Sequence, residues 1–405
     1  MAIRRKPVTN ILMTCANDAG TGGVQLVFRQ LVRSLEQNGK HVHLLYGASP
    51  LRPRLVQGTT TWGHTAFYCP LPGVLGDRTL LGILVLLAYL PVTVLRLIRV
   101  IRGQKIDVIN CHYLTQYFIH FVIAARLLRV PLVVSVHGAD IDRYVRSRWT
   151  QRFILRLVMR GAHNIVACSQ ALARQTAQTF PDVRRKVTYV HNGLMLSDFS
   201  AVGEARPLTT PFVLSVCRQV EKKGTDTLLR AFALVRRDFP DLSLVIVGDG
   251  PVLEQNKALA RALQIESQVR FLGDVARPEV FPFFAACALF VLPSRAEPFG
   301  LVLLEAAYFK KGIVGTRVGG IPEIITDGVD GFLVEPDGPV DMAQKMTVLL
   351  RDPQLAQMLG ARAHQTLMTK FLWEDRVQEY LSLYEGGLAH SLVWQESDRV
   401  TFDAV

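Results

Sequence analysis

Short apolar runs alternate with stretches of helical periodicity along almost the whole chain, and this alternation restricts the possible folds more than any other feature. Residues 8–15, 41–46, 106–111, 131–136, 164–168 and 186–191 read as buried strands, with 64–69 as a further one and helices over 24–35 and 114–128. Between 196 and 211 the periodicity lapses and Gly, Pro, Ser and Thr gather. The alternation then restarts, with strands over 212–217, 243–247 and 269–272 and helices over 225–239, 252–263 and 279–286. Strands joined by crossover helices make mainly parallel sheets, and 405 residues are enough for two cores. The expected class is α/β: two doubly wound, Rossmann-like domains over 1–195 and 212–372, a linker over 196–211, and a central cleft between the carboxyl edges of the two sheets. A helix over 373–390 and a tail over 391–405 complete the chain.

The stretch 290–335 carries the most chemistry. An apolar run over 288–292 stops at Pro293, and Glu297-Pro298-Phe299-Gly300 then opens an amphipathic run that reaches Glu305. This reads as strand, loop, helix, with Glu297 in the loop and Glu305 about a turn and a half inside the helix. First-turn amides at Gly300, Leu301 and Val302 have no partner within the helix, and with the macrodipole they form an anion site. A phosphate at the mouth with hydroxyls beside the carboxylates describes a nucleotide-sugar. A solvated Glu and a helix-start Glu would give the same spacing, and the pair by itself does not choose.

Two places in the first half could meet a ligand. The loop 16–23 ends in Gly22-Gly23 before a helix, a shape that brings backbone amides against a substrate, although a tight βα turn needs glycine anyway. His137-Gly138-Ala139-Asp140 follows a strand at its carboxyl end, where open sheets hold ligands. Asp140-Ile141-Asp142 resembles a metal-binding D-x-D but lacks further ligands, so no metal site and no cofactor are expected.

Charge is divided unequally. Residues 1–200 hold 25 Lys and Arg against 8 Asp and Glu, while 201–405 hold 21 against 26. A basic half of this size favours an anionic partner. Residues 80–95 are uncharged but interrupted by Pro91, short of a comfortable span of ~20. Arg96, Arg99 and Arg102 follow at helical spacing, either as a basic amphipathic helix at a bilayer surface or as a domain helix with snorkelling Arg. Arg143, Arg146, Arg148, Arg152, Arg156 and Arg160 form a second basic segment around Tyr144, Trp149, Phe153, Ile154 and Leu155. No nucleic-acid-binding motif accompanies them, which points to an anionic membrane surface. Six separated cysteines form no C-x-x-C pair and read as buried thiols. Arg4, Arg5 and Lys6 precede an apolar run too short for a signal peptide, so a cytoplasmic protein is expected, peripheral at the inner face of the cell membrane.

On these residues the chain resembles the GT-B glycosyltransferases of family 4, glycosyl transferases group 1, which are retaining enzymes that use nucleotide-diphospho-sugars. Glu297 and Glu305 match the family's E-x7-E, and Arg218 with Lys223-Gly224 matches its strand-end Arg and Lys-Gly pair. Val247-Gly248-Asp249-Gly250-Pro251, Phe271-Leu272-Gly273 and Gly319-Gly320-Ile321-Pro322-Glu323 match three further loops. Cys217 departs from the Gly usual before the Arg. The resemblance implies that Arg218 and Lys223 meet the diphosphate, that Glu305 binds ribose hydroxyls, and that Glu297 contacts the sugar or orients the diphosphate. It further implies that Gly248, Asp249, Gly273 and Asp274 frame the base, that Phe299, Gly300, Leu301 and Val302 line the donor site, and that Gly22, Gly23 and His137 serve from the first domain. The helix near 373–384 is expected to cross back to that domain. The implied activity is sugar transfer to a sugar or lipid-linked acceptor, metal-independent and without the paired-carboxylate chemistry of glycosidases. A nucleotide-sugar epimerase or phosphorylase on the same fold, or a non-catalytic membrane-associated scaffold, are the alternatives.

Overall fold

The computed structural model describes residues 7–15, 22–48, 55–72, 79–200, 208 and 210–386. Loop residues 16–21, most of the expected linker between 201 and 209, and the tail 391–405 lie outside them. Two compact units make up the chain: Met1–Val190 with Val377–Val405, and His191–Arg376. The division falls ahead of the expected linker because the chain is already tied to the second unit by Leu194, whose amide donates to Phe371 O at 2.8 Å. Beside it, Gly193 lies so close to Trp373 that a Cβ would come within 2.9 Å of its amide nitrogen.

The first unit holds strands β1 (Asn10–Cys15), β2 (His41–Ala48), β3 (Val56–Thr59), β4 (Thr65–Pro70), β5 (Val108–His112), β6 (Leu132–Val136), β7 (Asn164–Ala167) and β8 (Val187–Tyr189). They form one sheet in the order β3-β4-β2-β1-β5-β6-β7-β8. Only β3 runs antiparallel to its neighbour among these. Every residue of β5 and β6 is buried, as strands covered on both faces require. The accompanying helices are α1 (Gly23–Gln37), α2 (Thr79–Gly103), α3 (Ile119–Leu128), α4 (Ala139–Arg146), α5 (Trp149–Gly161) and α6 (Gln170–Thr179).

The second unit holds β9 (Phe212–Val216), β10 (Ser243–Val247), β11 (Val269–Gly273), β12 (Leu289–Leu292), β13 (Gly312–Thr316) and β14 (Phe332–Val334), with α7 (Thr225–Val235), α8 (Leu253–Ala262), α9 (Arg277–Ala286), α10 (Leu301–Tyr308), α11 (Ile321–Ile324), α12 (Pro339–Arg351) and α13 (Pro353–Lys370). Its sheet is parallel throughout, in the order β11-β10-β9-β12-β13-β14. Leu228, Phe232, Leu244, Ile246, Val291 and Met346 are fully buried in its core. Helix α14 (Trp373–Tyr384) starts in this unit and from Val377 belongs to the first. There Tyr384 Oη accepts from Asn110 Nδ2 at 2.6 Å, and Gln378 Nε2 donates to Asn38 Oδ1 at 2.9 Å.

Strand order reverses direction between β9 and β12 in the second unit and between β1 and β5 in the first. Loops at the carboxyl ends of such neighbours leave a crevice for ligands. Arg218 follows β9 and Glu297 follows β12; His112 closes β5.

Helix α2 buries one side in the first unit and leaves another open to solvent. Val94, Leu97, Val100 and Ile101 are buried, and Arg96 turns towards Cys69, whose thiol burial pushes up to about 11. Arg99 and Arg102 are exposed, and so are Leu84, Leu87, Val92 and Leu95. The three arginines therefore do not form one exposed row. All six cysteines are buried thiols outside any disulfide.

Candidate functional site

Lys223 sits on a short 3-10 turn, Glu221–Lys223, after β9. Its ammonium donates to Glu297 Oε2, which also lies 3.4 Å from Ser294 Oγ. This ion pair joins the cation-bearing turn to the loop that opens α10. Arg295 braces the same junction: both terminal nitrogens reach Asp226 at 2.8 Å, Nε reaches Asp337 at 2.6 Å, and Nη1 reaches Glu221 O at 2.7 Å. Hydrogen bonds to Asp226 push the Arg295 pKa further up. Arg218, one residue past buried Cys217, is exposed, and its guanidinium meets no partner among the described residues.

The mouth of α10 is shaped by close backbone contact. Gly300 caps the helix at φ 107°, and no acidic residue occupies the first turn. Amides of Gly300, Leu301 and Val302 donate to no carbonyl among the described residues, which keeps them available to an anion. Gly319 is at φ 52°, and a Cβ there would fall 1.9 Å from Glu297 O, while the Gly320 amide donates to that oxygen at 3.0 Å. The Gly319-Gly320 pair thus lets one loop lie directly on the other. Phe299 points elsewhere: its ring is buried, 5.8 Å from His191 and 5.9 Å from Phe371, so its side chain braces the loop from behind. The Glu323 carboxylate, on the same loop, lies against His191, with Nε2 2.7 Å from its Oε2.

Glu305 is buried, and its Oε1 accepts from Arg277 Nε at 2.6 Å. Arg277 reaches Asp198 through Nη1 at 2.7 Å and lies over the rings of Phe199 and Phe281, 5.3 and 5.1 Å from their centroids. Burial raises the Glu305 pKa against the pull of Arg277. Burial also works to lower that of Arg277, but Glu305 and Asp198 outweigh it and the net shift is upward. The second oxygen of Glu305 makes no hydrogen bond among the described residues, so one acceptor remains for a hydroxyl. Arg277, Asp198 and Arg295 went unnoticed in the sequence because their partners are 28, 79 and 69 residues away.

The base-framing loops are tied to the strand-end loop of Arg218. Gly248 adopts φ 122°, where a Cβ would lie 2.1 Å from Cys217 O, and its amide donates to Gly273 O at 2.7 Å. Asp249 O accepts from Gln219 N at 2.9 Å, and its carboxylate accepts from Gly250 N at 2.6 Å. Asp274 is exposed. Buried Gln219, also missed in the sequence, donates to Cys217 O and accepts from Asn256.

In the first unit, Gly22 precedes α1 and Gly23 begins it, both exposed. Asp140 is absorbed by structure: its carboxylate accepts from the amides of Leu114, His137 and Ile141, which folds the His137 turn around it. His137 Nε2 lies 3.2 Å from His112 Nδ1, with both rings buried. Burial pushes His137 down to about 4, and burial followed by the neighbouring His137 holds His112 well below its ordinary value. Both imidazoles are neutral, so one must donate to the other and their tautomers are coupled. His112 gave only one signal in sequence, its place at the end of β5.

Comparison with known proteins agrees with the geometry. A family model described as "Glycosyl transferases group 1" matches residues 198–366, and one described as "Glycosyltransferase Family 4" matches 21–197. The D-inositol 3-phosphate glycosyltransferase 1 of Catenulispora acidiphila is 30% identical over 305 residues, 70% of this chain and 72% of that protein. The N-acetyl-alpha-D-glucosaminyl L-malate synthase of Bacillus anthracis is 25% identical over 387 residues, 92% of this chain and 95% of the relative. Anabaena HepE, solved in complex with UDP and glucose, superposes with a TM-score of 0.69 at 20% identity, covering 93% of this chain and 99% of the other.

Proposed function

The chain belongs to the group 1 glycosyltransferases of GT-B fold, and on that premise we propose that it transfers a sugar from a nucleotide-diphospho-sugar to a hydroxyl of a lipid-linked or anionic glycan, with retention of anomeric configuration. The observation that carries this reading is the Lys223–Glu297 contact, which links a cation after β9 to the loop that opens α10. Breaking the anomeric C–O bond builds negative charge on the departing diphosphate. Fixed cations and amides stabilise it, a single good donor contributing about 3 kcal/mol. Arg218 and Lys223 are the cations, and the amides of Gly300, Leu301 and Val302 complete the cradle. Glu305 holds the ribose hydroxyls with its open oxygen, while Glu297 keeps Lys223 in place and orients the sugar end of the donor.

Retention then follows a same-face substitution. The leaving phosphate oxygen takes the acceptor hydroxyl's proton as the new C–O bond forms, so no protein carboxylate need act as nucleophile. Neutral His137 offers the transferred sugar a hydrogen bond, and the first unit takes the acceptor. No metal or other cofactor is assigned a step. The enzyme is read as cytoplasmic and peripheral at the inner face of the cell membrane, in keeping with the basic first half of the chain. UDP-sugars are the donors to try first, since HepE was solved with UDP and glucose.

The test is incubation of the full chain with radiolabelled UDP-, GDP- and ADP-sugars, with the product's anomeric proton read by NMR. Donor hydrolysis or transfer with the configuration kept supports the proposal. Interconversion of donors without transfer would favour an epimerase, and absence of binding a scaffold.

A further inference from the structure

Helices α2, α3 and α5 of the first unit enclose a groove of about 830 Å³, lined by Leu87, Leu90, Ile123, Leu127, Phe153 and Leu157 among others. Large apolar side chains stand open to solvent around it: Leu87 is 57% exposed, Leu127 64%, Phe153 58% and Trp149 77%. Apolar patches of this kind on a soluble chain mark a surface that something covers. The charges nearby say what. Among the described residues, Arg126 and Arg160 are the charged ones of the lining. Lys186 stands behind them, its ammonium on Arg160 O and Ala162 O at 2.7 and 2.9 Å and its pKa lowered by burial and then by Arg126. Asp182 pairs with Arg160 and also lies near Arg156. None of the three helices contains an Asp or Glu.

An apolar slot with an exposed Trp and Phe at its lip and cations at one end matches a lipid that has a hydrocarbon chain below a phosphate. A second copy of this chain would bring the same cations against themselves. We propose that the α2–α3–α5 face docks on anionic phospholipid bilayers, with an acyl chain in the groove, Trp149 and Phe153 in the interfacial layer, and lipid phosphate on Arg126 and Arg160. This rests on the membrane-face part of the proposed function and names the surface responsible. Trp and Arg are suited to that boundary because each joins an apolar body to a polar end.

The test uses the full chain with vesicles of phosphatidylcholine, alone or mixed with phosphatidylglycerol, at low and high salt. Sedimentation is read together with tryptophan quenching by lipids brominated on the acyl chain. The expected result is binding at least ten-fold stronger to the mixed vesicles, and quenching that disappears in Trp149→Phe. Leu87→Asp with Phe153→Asp should lose ten-fold or more of the binding while donor turnover is unchanged, both positions being more than half exposed. The inference is overturned by a chain left in the supernatant at low salt. Binding that ignores Leu87→Asp with Phe153→Asp and shows no acyl-chain quenching also overturns it, as does a dimer that this pair of substitutions dissolves. Donor turnover measured in parallel separates the readings: turnover without vesicle binding sinks this inference and the membrane-face reading but leaves the transferase reading standing, and vesicle binding without turnover sinks the transferase reading alone.

Discussion

Lys223 donates to Glu297 across the point where the second sheet reverses, and the two side chains are only 16% and 10% exposed. The cation assigned to the diphosphate is thus held by a carboxylate that belongs to the loop of the helix mouth. Removing Lys223 should have two separable consequences. Lys223→Ala should lower kcat by about 10²–10³, equivalent to one transition-state donor, and should lower the unfolding free energy by about 1–3 kcal/mol because Glu297 is left part-buried without its partner. Arg218→Ala, at an exposed position without a partner among the described residues, should show the same loss of kcat with a stability change within about 0.5 kcal/mol. Steady-state kinetics and urea unfolding of both variants check this.

Arg277 governs Glu305. Arg277→Ala leaves a buried carboxylate uncompensated, an effect of about 3–5 kcal/mol, and Glu305→Gln in the same chain should recover a large part of it. A double-mutant cycle in urea measures the coupling. If the two substitutions add, the Arg277–Glu305 contact does not hold the site together.

Acid should loosen the first unit. Burial lowers the His137 pKa from 6.5 to about 4, and His112 is lowered as well. The unfolded chain therefore binds more protons in this window, so this contribution to stability is complete above pH 6.5 and is lost as pH falls towards 4. Buried Asp140 and Glu305 have raised values and act in the opposite direction, their destabilising effect growing as pH rises above the ordinary carboxylate range. His137→Asn isolates the histidine term: its urea midpoint should vary less with pH between 4 and 6.5 than that of the unsubstituted chain. An unchanged slope would mean that His137 is not buried neutral.

Gly319→Ala probes the contact between two loops. A Cβ at φ 52° would meet Glu297 O at 1.9 Å, so backbone must move. Loss of about 1–3 kcal/mol and at least ten-fold weaker donor binding are expected. Gly328→Ala, also at positive φ but with open space around it, should lose stability without the binding defect. Thermal unfolding and donor titration compare the two.

Much of this was legible in sequence because it is local. β9, β10 and β12 show as uninterrupted apolar runs, and the loop from Glu297 to Gly300 carries its own helix start. β3 escaped because Val-Gln-Gly-Thr is short, mostly exposed and paired only at an edge. The Phe299 side chain, read as lining the donor site, packs on His191 and Phe371, since sequence spacing does not say which way a loop side chain turns. Arg277, Arg295 and His112 act through partners far along the chain, and no periodicity reports such pairings. The exposed face of α2 and α5 was half visible: Trp149 and Phe153 are indeed exposed, but Tyr144, Ile154 and Leu155 from the same basic segment are buried in the first unit.

Calorimetric titration of the full chain with UDP and with UMP tests the central claim most directly, that the donor's diphosphate sits where β9 and β12 part. The account predicts that UDP binds more tightly than UMP, that Arg218→Ala removes this preference, and that Glu305→Ala weakens both nucleotides by ten-fold or more. Equal UDP binding by the unsubstituted chain and both variants would contradict it.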